Sequence, residues 1–178
     1  NNHGRVYDSD LAAAFALLED SVAGAYFFNL INDNVITYQW GDIDSLGLWD
    51  GTNITIDQDL RTTWPESAIA AILAHEATHV DYQLNPETRI AQTLSEHPEL
   101  TEDDLHIDVY PFNSVDQEYH CFESAVLVWR ETKQETDICD EMAAEDALYS
   151  QGEAVLKEEI WARYSVIPVE QGGLLYEF

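Results

Sequence analysis

The sequence predicts an α+β domain: a small antiparallel or mixed sheet beside one central helix, followed by a helical C-terminal part. Three observations carry this reading. β-Branched and aromatic residues gather in short runs between residues 35 and 57. From residue 66 onward the apolar residues recur at helical spacing instead. Between the runs lie compact turn signals, Asn32-Asp33-Asn34 and Asp50-Gly51. At 178 residues the chain fits one domain, 1–178, with no internal repeat, low-complexity tract or linker. Its core is expected at about 35–130 and its C-terminal helices at about 138–165.

The elements follow in order. Ser9 or Asp10 can cap a helix through Leu11 and Leu18, and Ser21 a second one towards Ile31. Val35-Ile36-Thr37-Tyr38-Gln39-Trp40 reads as a strand, ended by Gly41-Asp42. Leu46-Gly47-Leu48-Trp49 is a short strand, and Asp50-Gly51 a hairpin turn. Asn53-Ile54-Thr55-Ile56-Asp57 alternates polar and apolar, as an edge or half-buried strand does. Pro65 suits the first turn of a helix over 66–83, with Ile69, Ile72, Leu73 and Val80 as its apolar contacts. Pro86 ends that region, and 85–113 reads as loop with short helices. Ser114 or Asp116 opens a long helix through Trp129 to Lys133. Two acidic helices follow over 140–150 and 153–164, and the tail from Pro168 is expected to be extended.

Charge narrows the function. Seven basic residues face 35 acidic ones, a formal net charge of -28. Such a surface repels nucleic acid and anionic membranes, so neither is expected as a partner. It suits solubility in a salty medium, or attraction of a basic peptide or protein.

The chemistry sits on the 66–83 helix. Residues four apart share a helix face, so His75 and His79 can point two imidazoles at one ion. Zinc takes such ligands in a tetrahedral site. Glu76 is offset around the helix, placed to face a water instead of the metal and to act as general base and acid. The motif His75-Glu76-Ala77-Thr78-His79 lies in an apolar setting, whereas an accidental, solvated pattern would be ringed by charges.

A third ligand is required, and the helix from Asp116 offers Glu118, His120 and Glu123. Cys121, Phe122, Ala125, Val126 and Trp129 form its apolar stripe, and Glu118 falls on that stripe one turn before Phe122. A buried carboxylate is costly unless paired, and a metal would be such a partner. Glu123 lies further round, with an ion pair to Arg130 as its alternative role. Cys121 and Cys139 read as buried small side chains, as a single disulfide between successive helices, or, for Cys121, as a zinc ligand.

The run Ala74-His75-Glu76-Ala77-Thr78-His79-Val80-Asp81-Tyr82-Gln83, preceded by Asn53-Ile54-Thr55-Ile56-Asp57, resembles the core of small, minimal gluzincin-type zinc metallopeptidases. Glu118-Tyr119-His120-Cys121-Phe122 resembles the segment that supplies their ligand Glu. The resemblance covers about 35–130. It implies a zincin-like fold, an edge strand that aligns a peptide, and one Zn2+ held by His75, His79 and Glu118 beside the catalytic Glu76. One departure stands out. Larger gluzincins carry an acidic or amide residue one turn after the ligand Glu to orient a ligand His, and here that position is Phe122. Asp57, Asp81 and Asp116 are the alternatives for that task. No further His and Gly follow His79 at metzincin spacing.

The expected activity is therefore hydrolysis of a peptide or protein substrate by a metal-activated water. Tyr119, His120, His106 and Tyr110 are candidate oxyanion donors, and the backbone of Ile54-Thr55-Ile56 a candidate template for substrate strand addition. The rival reading is a zincin-fold zinc-binding domain with a regulatory, non-catalytic role. The acidity and the potential disulfide favour an extracellular or cell-surface setting over the cytoplasm.

Overall fold

A computed structural model describes residues 10–105, 114–171 and 173–174. Among these it is an α+β fold with seven α-helices and one three-stranded mixed sheet. α1 (Leu11–Asp20) begins at Asp10, whose carboxylate accepts from the Ala12 N–H at 3.1 Å. Ser21 then closes a tight turn by accepting from the Gly24 N–H at 3.0 Å, and α2 (Ala25–Asp33) follows. The sheet comprises β1 (Thr37–Gly41), β2 (Gly47–Trp49) and β3 (Asn53–Asp57). Next come α3 (Glu66–Leu84), α4 (Pro86–Glu96), α5 (Val115–Thr132), α6 (Asp140–Ser150) and α7 (Glu153–Tyr164).

Several expectations change. The Asn53–Asp57 strand is not an edge: β3 lies in the middle, parallel to β1 and antiparallel to β2. Both sides of its backbone are engaged, so strand addition along Ile54-Thr55-Ile56 is excluded. The alternation seen in the sequence instead reflects a strand whose Ile54 and Ile56 are fully buried. The first strand starts at Thr37, because Val35 is exposed and holds a positive φ of 54°, which breaks extended backbone. α3 does end just before Pro86, at Leu84, and Pro86 also opens the 11-residue α4 within the region expected to be loop with short helices; a proline at the first helical position gives up only an N–H that has no intrahelical partner. The tail expected to be extended forms a short 3-10 turn at Val169–Gln171.

α3 is the centre of the fold. Ala68, Ala70, Ala71, Ala74 and Ala77 are all fully buried, and their small side chains let neighbouring backbones approach from several sides. α5 packs along α3, while α1, α2 and the sheet cover the rest of it. The other face of α5 builds a second cluster with α7, from Val115, Tyr119, Phe122, Leu156 and Ile160. No helix among the described residues is long and apolar enough to cross a membrane.

The net charge of -28 acts against this compact state through self-repulsion. Raising the salt from about 0.1 M to 1 M shortens the screening length from about 10 Å to about 3 Å. The melting temperature is expected to rise with sodium chloride, by about 2–4 °C for each kcal/mol of repulsion relieved. A flat or falling melting temperature over that range would show that the surface charge costs the fold nothing.

Candidate metal centre

The site forms where the middle of α3 meets the first turn of α5. His75 and His79 stand one turn apart, their rings 5.3 Å apart at 66°. On α5, Ser114 caps the helix by accepting from the Gln117 N–H at 3.0 Å, which fixes the turn that carries Glu118. Glu118 is only 8% exposed, as its place on the apolar stripe requires. Its two oxygens divide between the imidazoles: Oε1 lies 3.3 Å from His79 Nε2, and Oε2 lies 3.5 Å from His75 Nε2. Oε2 is buried and has no hydrogen bond. A buried, unbonded carboxylate oxygen is expensive unless a cation completes its surroundings.

Two contacts hold the helices in register. The Thr78 hydroxyl donates to the Ala74 carbonyl at 2.8 Å and lies 3.1 Å from Ser124 Oγ on α5. The Phe122 ring meets His75 edge to face at 4.9 Å. The position one turn after Glu118, where the resemblance implied a polar orienting residue, is thus filled by an aromatic wall. Electrostatics within the cluster are coupled. Burial disfavours protonated His75, but the Glu118 and Glu76 carboxylates outweigh it and hold its pKa above the ordinary value. Burial likewise works against ionised Glu118, yet the two imidazoles keep its pKa below the usual range.

Cys121, one turn beyond Glu118, is fully buried, and its Sγ lies 3.5 Å from His79 Nε2. The candidate ligand atoms of His75, His79, Glu118 and Cys121 all lie within 4.8 Å of one another. Nitrogen and oxygen ligands of one tetrahedral zinc stand about 3.3–3.4 Å apart. The His–Glu separations already meet that distance, so the residues fit a zinc ion. Both cysteines are free, which removes the disulfide and its argument for an oxidising compartment.

A cleft of about 260 Å³ opens over the cluster. Its walls are the edge strand β2 (Gly47, Leu48 and Trp49), Glu76, Gln117 and Tyr164. Glu76 is buried, with Oε1 4.0 Å from His75 Nε2, and is not among the four residues whose ligand atoms gather within 4.8 Å of one another. Gly47 lets β2 sit this close: a Cβ there would stand 2.7 Å from Ile72 Cγ2 and 2.8 Å from Glu76 Oε1. Trp49 Nε1 donates to Gln83 at 2.9 Å and ties the strand to the end of α3.

The remaining candidates are placed elsewhere. Glu123 accepts from Tyr149 at 3.0 Å and Tyr119 at 3.4 Å, while Arg130, its expected partner, pairs with Asp146. His120 lies 3.2 Å from Glu96 and 3.5 Å from Glu123, and neither it nor Tyr119 lines the cleft. His106 and Tyr110 lie outside the described residues. None of the proposed orienting aspartates serves that task. Asp57 caps the turn after β3, Asp81 accepts from Tyr26, Asn85 and Arg89, and Asp116 is held between His97 and Lys157. A second acidic group, Glu96–His97–Asp116, thus already has the Lys157 ammonium 2.6 Å from Asp116.

Sequence reasoning missed Tyr164 and Gly47. Tyr164 lies 46 residues beyond Glu118 on a helix that the motif does not reach, and only the packing of α7 on α5 brings it to the cleft. Gly47 carried no motif at all. The chain matches no known family model, no curated protein and no solved structure.

Proposed function

We propose that this chain is a zinc-dependent peptidase of the gluzincin type, with His75, His79 and Glu118 as metal ligands and Glu76 as general base and acid. The observation that carries the reading is the convergence of Glu118 on both imidazoles, leaving a buried oxygen with no hydrogen bond, beside a carboxylate that faces the same cleft. Zinc bound there would supply Lewis acidity towards a carbonyl and lower the pKa of a water it carries to about 7. The chain's own residues supply the rest. Glu76 takes the proton of the attacking water and returns it to the leaving amine. Tyr164, across the cleft, is a donor available to a developing oxyanion.

An extended peptide fits against β2. Asp57 N donates to Leu46 O at 3.0 Å and Asp50 N to Asn53 O at 3.2 Å, so Leu46 and Asp50 face β3. Strand alternation then turns the Gly47 and Trp49 main chain outwards, where a substrate strand can pair with it. The acidic surface favours basic peptides among the substrates. A second reading, a zinc-binding domain without turnover, draws on the position of Cys121 beside the ligand set.

Elemental analysis tests the metal site, on protein purified without added metal. About one zinc per chain is expected in the wild type, and a loss of affinity beyond the roughly 10–100-fold that outer partners cost is expected in His79→Ala and Glu118→Ala. Hydrolysis of a fluorogenic peptide library by the zinc-loaded wild type separates the two readings. No zinc uptake by the wild type, even after addition of the metal, would end both.

A further inference from the structure

Four candidate ligand side chains reach the centre, one more than a catalytic zinc site of this type requires. We infer that Cys121 Sγ is a fourth protein ligand, closing the metal site from its interior side. The inference rests on the metal-site reading above and concerns the state of that site.

Geometry supports it first. A nitrogen and a sulfur bound to one tetrahedral zinc, at about 2.0–2.1 Å and 2.3 Å, stand about 3.5 Å apart. Cys121 Sγ and His79 Nε2 lie 3.5 Å apart. The separations to Glu118 and between the imidazoles all fall within 4.8 Å, so closing on an ion asks for a contraction of about 1 Å. The pattern is regular along the chain as well: His75 and His79 stand one turn apart on α3, and Glu118 and Cys121 one turn apart on α5.

Charge supports it independently. Glu118 Oε2 is buried and has no hydrogen bond, in a residue 8% exposed, so its lone pairs are available to a cation. With two neutral imidazoles and one carboxylate, a divalent ion would keep one positive charge unbalanced. A thiolate at Cys121, whose side chain is fully buried, cancels that charge where solvent cannot. On binding, the thiol proton passes to solvent and the Sγ–metal bond forms, with no change of oxidation state.

Cys121 does not line the cleft, which is walled by His75, Glu76, His79, Glu118, Tyr164 and β2. Sulfur therefore approaches from beneath and substrate from above. With four protein ligands the site would be closed at rest, and the water of the proposed hydrolysis would enter by expanding the coordination or displacing the sulfur. A simple three-ligand site would stand open instead.

Cobalt substitution tests this without relying on turnover. Wild-type protein loaded with one cobalt(II) per chain is expected to show an intense near-ultraviolet thiolate-to-cobalt charge-transfer band. Cys121→Ser is expected to lose the band and to bind zinc at least tenfold more weakly in competition with a chelating dye. Cys139→Ser should keep both, since Cys139 is outside the cluster. Absence of the band in cobalt-loaded wild type overturns the inference whatever the variants do, including a variant that fails to fold. Failure of the wild type to take up cobalt or zinc at all would instead remove the metal-site reading beneath it.

Discussion

Glu76→Gln is expected to abolish most peptide hydrolysis while leaving the zinc in place. The substitution keeps the shape of the side chain, and so its close contact with the β2 backbone at Gly47. It removes only the ability to take up a proton. General acid–base catalysis by one positioned group contributes about 10²–10⁴-fold, and kcat should fall by that factor. Zinc content should stay at that of the wild type, because Glu76 is not a member of the ligand cluster of His75, His79, Glu118 and Cys121. Parallel measurement of kcat and zinc decides between roles. Loss of zinc together with activity would make Glu76 a structural or ligating group. Unchanged activity would remove it from the chemistry.

Much of this candidate centre is legible in the sequence. The i, i+4 histidines, the offset Glu76 and the carboxylate on an apolar stripe are properties of helices, and helices express their faces locally in the sequence. The cap at Ser114 and the two C-terminal helices were readable for the same reason. What failed depends on pairing between distant segments. Whether Asn53–Asp57 is an edge or a centre is decided by where β1 docks, and a parallel β1–β3 pair leaves no local trace. The orienting carboxylates failed likewise: Asp81 is consumed by Arg89 and Tyr26, and Asp116 by Lys157 and His97, partners up to 55 residues away.

The surface charge and the buried centre also act on different scales. The net charge of -28 is spread over a solvated surface and is screened within about 8 Å at physiological salt. The Glu118–imidazole contacts are shorter than 4 Å and almost dry, so salt should alter the stability of the fold more than the affinity of the centre for metal.

Tyr164→Phe carries the second large expected effect, and it tests the part of the site that the motif does not reach. Burial, reinforced by the Glu118 charge, pushes the phenol pKa well above its ordinary value. The hydroxyl therefore stays a proton donor across the working pH range. Its position is held from behind, because the neighbouring Arg163 pairs with Glu145 on α6 at 2.7 Å and with Glu159 at 2.9 Å. Phe122, whose ring packs against His75, also packs against the Tyr164 ring at 6.4 Å. Losing the hydroxyl alone should leave zinc content and KM near the wild type and lower kcat by about 10²–10³-fold, the effect of removing one oxyanion donor. A rise in KM with kcat unchanged would make Tyr164 a wall of the cleft that binds substrate and transition state equally. Because the variant keeps the ring that faces Phe122, a loss of kcat at constant zinc content would point to the hydroxyl and not to the packing around it.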